Sequence, residues 1–115
     1  MNKSRRKVLN GVLDTLETLI TPISKDEAIK ILQNLQEKVE ECADDEEDAL
    51  DNRPESFMWS TVNDEMSDNI SDLRDASCDF DIVIEQCENS ELYDYKLIQD
   101  DLKGIINNIS KAINR

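Results

Sequence analysis

Histidine is absent from the chain, and glycine and proline occur only twice each. Without histidine the commonest general base and the commonest transition-metal ligand are missing. With Gly11 and Gly104 as its only glycines, the chain has no glycine-rich loop to cradle a phosphate, and the acidic run Asp44-Asp45-Glu46-Glu47-Asp48 lacks the glycine and alternate spacing of a calcium-binding loop. The three cysteines, Cys42, Cys78 and Cys87, are odd in number and widely spaced, which implies neither a disulfide framework nor a metal knuckle. They read as buried thiols in a reducing compartment. No window is long and apolar enough to span a membrane. Met1-Asn2-Lys3-Ser4-Arg5-Arg6-Lys7 is basic like the start of a signal peptide, but Asp14 and Glu17 interrupt the apolar run that should follow. A cytoplasmic protein with no cofactor, no metal and no enzymatic activity is expected.

What is present is acid. Thirteen basic residues stand against twenty-seven acidic ones in 115, a formal charge of −14. Such a chain repels other polyanions, so free nucleic acid and anionic membranes are excluded as general partners and basic surfaces are favoured. The apolar share of 38% is low for a globular domain. Its periodic placement nevertheless argues against disorder and for a single domain.

That periodicity is helical throughout. Over 3–20, Val8, Val12, Leu16 and Leu19 recur at steps of four and three, widened by Leu9, Leu13 and Ile20. Lys3, Arg5, Arg6 and Lys7 oppose the dipole of this helix, either as a first turn that frays or as a cationic hook for an acidic neighbour such as a second copy. Thr21-Pro22 stops it, and Ser24-Lys25-Asp26-Glu27 has the spacing of a capping box. A second helix, 25–50, carries Leu32, Leu35, Val39, Cys42 and Ala49, with Glu46 standing where an apolar residue is due. The stretch 51–59 reads as a turn. A Ser60-capped helix over 60–88 then carries Val62, Met66, Ile70, Leu73, Ser77, Phe80, Ile84 and Cys87. Ser90 is expected to cap the last helix, 91–113, which bears Leu92, Tyr95, Ile98, Leu102, Ile105, Ile109 and Ala112. The fold class is therefore all-α. A long antiparallel hairpin should be flanked by a shorter N-terminal and a C-terminal helix that overlap it at its open end around Ile29, Leu32, Leu35, Phe80 and Ile84, leaving the far half as a two-helix projection.

Two features have functional readings. Asp64, Asp68, Asp72, Asp75 and Asp79 recur at three- and four-residue steps, so they line one helix edge with Cβ atoms ~5–6 Å apart. With Asp44, Asp45, Glu47 and Asp48 on the other arm, that edge is either a solvated face or a regular array of negative charge resembling a nucleic-acid backbone. Phe57, Met58 and Trp59, beside the turn, either plug the hairpin end or form an exposed hot-spot anchor.

The run Asp48-Ala49-Leu50-Asp51-Asn52-Arg53-Pro54-Glu55-Ser56-Phe57, followed by Ser60, Met66, Ile70 and Leu73, resembles a turn found in small acidic helical-hairpin proteins of phages and gut bacteria. There an Asp-Asn-x-Pro-Glu-Asn/Ser-Leu-Gln turn precedes a serine-capped helix, whereas Phe57 and Met58 stand here in place of Leu-Gln. The resemblance covers about a quarter of the chain. It implies a helical hairpin and a mobile-element setting, with no active site to carry over. The leading expectation is a non-enzymatic, anti-CRISPR-like inhibitor that binds a basic, nucleic-acid-handling host protein through the residues above, without contacting nucleic acid or membrane. A self-associating scaffold, a homodimer for example, and an oligomeric nucleotide sponge are the alternatives.

Overall fold

The structure, a computed structural model, describes residues 1–21, 23–54 and 60–115. Four helices account for nearly all of them: α1, Lys3–Glu17; α2, Lys25–Asp51; α3, Thr61–Asn89; and α4, Tyr95–Asn114. A 3-10 turn, Thr18–Ile20, extends α1. Side-chain caps set three of the starts as local chemistry requires. Asn2 accepts from the Arg5 amide, Ser24 from Glu27 and Ser60 from Asn63, each satisfying one of the otherwise orphaned N–H groups of a first turn. The last helix begins later than 91. Ser90 closes α3 instead, its hydroxyl donating to the Gln86 carbonyl, and Asp94 caps α4 by accepting from the Lys96 amide. Leu92, expected in the last seam, is exposed.

The molecule is long and narrow, 54 × 22 × 19 Å. α2 and α3 run antiparallel, and polar side chains fix their register along the seam. Lys25 Nζ donates to the Glu88 carbonyl at 2.8 Å. Gln36 Nε2 donates to the Ser77 carbonyl at 2.9 Å and to Asp81 Oδ1 at 2.6 Å, and Ser77 Oγ donates to Glu40 Oε1 at 2.7 Å. α1 and α4 close the second layer, tied where the Tyr93 hydroxyl donates to the Leu19 carbonyl at 2.6 Å. Leu9, Val12, Leu16 and Leu19 from α1 and its turn, Leu32, Leu35 and Val39 from α2, Leu73, Phe80 and Val83 from α3, and Ile98, Leu102, Ile105 and Ile109 from α4 form one continuous core. A fully buried aliphatic or aromatic side chain contributes about 1.5–3 kcal/mol. Helical order here therefore comes mainly from packing, as it must where acidic neighbours oppose it. α3 packs against both α2 and α4, so its buried band is wider than a single seam and takes in Asn69, Ala76 and Val83. Val62 lies outside that band and is exposed, and Ile70 is half-buried.

The four-helix region extends further along the hairpin than the sequence suggests. Arg5 at the start of α1 reaches Glu46, and Arg115 beyond the end of α4 reaches Asn69 and Asp72. Only the last turns of α2 and the first turns of α3 project beyond this level. At the junction Glu46 is completely buried. Its carboxylate has the Arg5 guanidinium and the Asn69 amide at 3.4 Å each, and the Met1 amino nitrogen at 3.8 Å. Arg6 donates to the Arg115 carbonyl at 3.2 Å. The basic first turn thus hooks an acidic neighbour within its own chain.

Two stability measurements follow. Neither glycine has a left-handed backbone, and a Cβ on Gly11 would meet no atom within 4 Å. Gly11→Ala should therefore raise stability in urea by about 0.5–1 kcal/mol; a loss would mean that the helix surface is not open there. Glu46→Ala leaves Arg5 without its buried partner and should cost about 3 kcal/mol, most of it regained when Glu46→Leu is combined with Arg5→Met. Equal destabilisation by both would assign the effect to packing alone.

Candidate functional site

α2 carries eleven carboxylates against three lysines, and α3 nine against Arg74, so the two helices bear −16 in a chain whose total is −14. The apolar bands of both helices point inward, which forces this charge onto their outer edges. Asp44, Asp45, Glu47 and Asp48 are all exposed on α2. Asp44 and Glu47 share a partner, Arg74 Nη2, at 2.7 and 2.9 Å. These bonds raise the Arg74 pKa further and bridge the two helices. Arg74 was no candidate in the sequence, although its isolation as the one cation on α3 was the available signal.

The aspartates of α3 divide into two sets. Asp64, Asp68 and Asp75 are exposed. Asp72 is half-buried and ion-paired with Arg115, and Asp79 is half-buried against α4 with its Oδ2 3.8 Å from where a Gly104 Cβ would stand. The five do not form one uninterrupted solvent stripe, because α4 extends over the C-terminal part of the row. Burial first, then the nearby carboxylates of Asp101 and Asp75, raise the Asp79 pKa above its ordinary 3.8. Asp51 and Glu65, not singled out in the sequence, are exposed in the same distal region as Asp48, Asp64 and Asp68. Phe57, Met58 and Trp59 lie outside the described residues.

The cysteines also divide. Cys42 and Cys87 are buried and free, whereas Cys78 is exposed, contrary to the reading of all three as buried. Burial first, then the Asp45 charge, push the Cys42 thiol up to about 11 despite nearby Arg5, and burial also raises Cys87. Both are therefore thiols rather than nucleophilic thiolates at neutral pH. Among the described residues no group of three or more cysteines and carboxylates is placed to hold a metal ion, and no helix is long and apolar enough to cross a membrane.

Compared with known proteins, the chain matches no family model, no curated protein and no solved structure. The arrangement places a dense acidic surface on the two long helices, densest where α2 ends and α3 begins.

Because the folded state raises the Asp79 pKa, it holds that proton more tightly than the unfolded chain does. Its charge therefore opposes folding at neutral pH and stops doing so as pH falls through the raised value. Asp79→Asn should raise the melting midpoint at pH 7, the i,i+4 repulsion with Asp75 alone giving ~0.2–0.5 kcal/mol. The gain should vanish below the ordinary carboxyl pKa of 3.8. A pH-independent difference would locate the effect in packing.

Proposed function

We propose that the protein is a non-enzymatic interaction module that seats the distal acidic edge of the α2–α3 hairpin on a basic protein surface. The target in this reading is a nucleic-acid-handling host protein, bound where it would hold DNA or RNA and inhibited as a result. The observation that carries the proposal is the segregation of charge: −16 on two packed helices and +2 on the rest of the chain. Asp45, Asp48, Asp51, Asp64, Glu65 and Asp68 extend it on exposed positions near the hairpin's end. Held on helices rather than loops, their carboxylates need less ordering on binding, and this preorganisation favours affinity for an array of Lys and Arg. Asp72 and Asp79 contribute less, one paired and one half-buried against α4. The phage or mobile-element setting enters on the sequence resemblance of the run from Asp48 to Phe57 alone.

The test is capture from a bacterial lysate on immobilised protein at about 0.1 M and about 1 M salt, where the screening lengths are ~10 and ~3 Å. A basic nucleic-acid-binding protein should be retained at the lower salt, released at the higher and displaced by added DNA or RNA. The combined variant Asp45→Lys, Asp48→Lys, Asp64→Lys, Asp68→Lys should lose it while keeping its helicity. It spares Asp44, Glu47 and Asp72, which are ion-paired within the fold. Retention indifferent to the reversal would refute the proposal.

A further inference from the structure

The acidic edge leaves unexplained the stretch of α2 that lies beside α1. A groove of about 290 Å³ lies there, lined by Thr15 of α1 and by Lys30, Ile31, Asn34, Leu35 and Lys38 of α2. Leu35 is buried and Ile31 half-buried, so they supply an apolar floor, and Lys30 and Lys38 are exposed. The lysines are eight residues apart, about 12 Å along the axis at 1.5 Å per residue.

These two lysines line the groove without a carboxylate partner, on a helix crowded with carboxylates. Lys25, the third lysine of α2, donates to the Glu88 carbonyl. Among the described residues neither Lys30 nor Lys38 has a carboxylate within 4.0 Å, although Asp26, Glu27 and Glu41 stand three or four residues away on the same helix. Thr15 has committed its proton, donating to the Gly11 carbonyl at 3.0 Å, so it offers the groove a methyl and an acceptor. The donors facing an incoming group are therefore Lys30, Lys38 and the Asn34 amide.

We infer that this groove is a binding site for a small amphipathic monoanion, a carboxylate or sulfonate on a compact apolar body. The floor takes the apolar part, and the two ammonium groups with Asn34 take the charge. The volume lies at the small end of ligand pockets, which run from about 300 Å³ upward. That suits a single small molecule rather than a partner helix. The net charge decides between classes of anion. A field of −14 repels a polyphosphate several times more strongly than a single charge, so a monoanion that gains from apolar burial is favoured over a nucleotide or free phosphate. This site goes beyond the proposed function and does not depend on it, since its residues share none with the acidic edge.

The test uses 1-anilinonaphthalene-8-sulfonate, whose fluorescence rises on leaving water. The folded protein should bind it saturably at one site, octanoate should displace it, and ATP and inorganic phosphate should not. Lys30→Gln combined with Lys38→Gln should weaken binding, and Lys30→Glu combined with Lys38→Glu should weaken it in the same direction by at least tenfold while the protein stays helical and folded at the assay temperature. Lys103→Glu, the same charge change at an exposed position of α4, should leave affinity within twofold. The inference is overturned if no saturable binding occurs, if the two charge changes act alike, or if ATP or phosphate competes as well as octanoate.

Discussion

A carboxylate sealed from water in a strongly acidic chain is stable only where cations are brought to it. Glu46 sits at that point. An uncompensated buried charge costs several kcal/mol, and the Arg5 guanidinium that offsets it comes from the first turn of α1. The same layer takes in Asn69 of α3, which also accepts from Arg115 beyond α4. One buried charge thus draws all four helices to a common level. Separations of 3.4 Å and more are longer than strong charge-assisted hydrogen bonds, so the layer works more as a register mark than as a large source of stability.

The remaining negative charge is managed by separation. The apolar bands hold α2 to α3 and α3 to α4, and the carboxylates are left on the outer edges. Cross-helix bonds then occur where acid would otherwise be unanswered: Arg74 between Asp44 and Glu47, Gln36 against Asp81, Ser77 against Glu40. Most of these are exposed and worth little singly. Their value is in direction, since each is satisfied in one register of the hairpin only. The result is a surface whose charge is dense and spread over two helices.

The helices and most of their inward faces were legible in the sequence because 3.6-residue periodicity is a local property, although Val8 and Ile20, read as inward on the first helix, are exposed. Leu32, Leu35, Val39, Leu73, Phe80, Ile98, Leu102, Ile105 and Ile109 are buried as their spacing requires. The serine caps at 24 and 60 were equally readable. Partners were not. Nothing in the run Lys3-Ser4-Arg5-Arg6-Lys7 shows that Arg5 meets Glu46, forty-one residues away. Nor does the regular spacing of Asp64 to Asp79 reveal that α4 reaches Asp72 and Asp79, because spacing along one helix does not record how far another extends over it. Glu46 was visible as a break in the apolar seam, but its counter-ions were not.

The order of packing also bears on how the molecule comes together. Each helix lies beside the one that follows it in the chain, and closure over short connections is quick because little loop entropy is lost. The exception is α1 against α4, where Tyr93 reaches Leu19 and Arg6 reaches Arg115 across most of the chain's length. α3, flanked on both sides, is the element on which the others can assemble. α1, with the sparsest packing of the four, should be the last to assemble, and its amide protons should be the first to exchange with solvent.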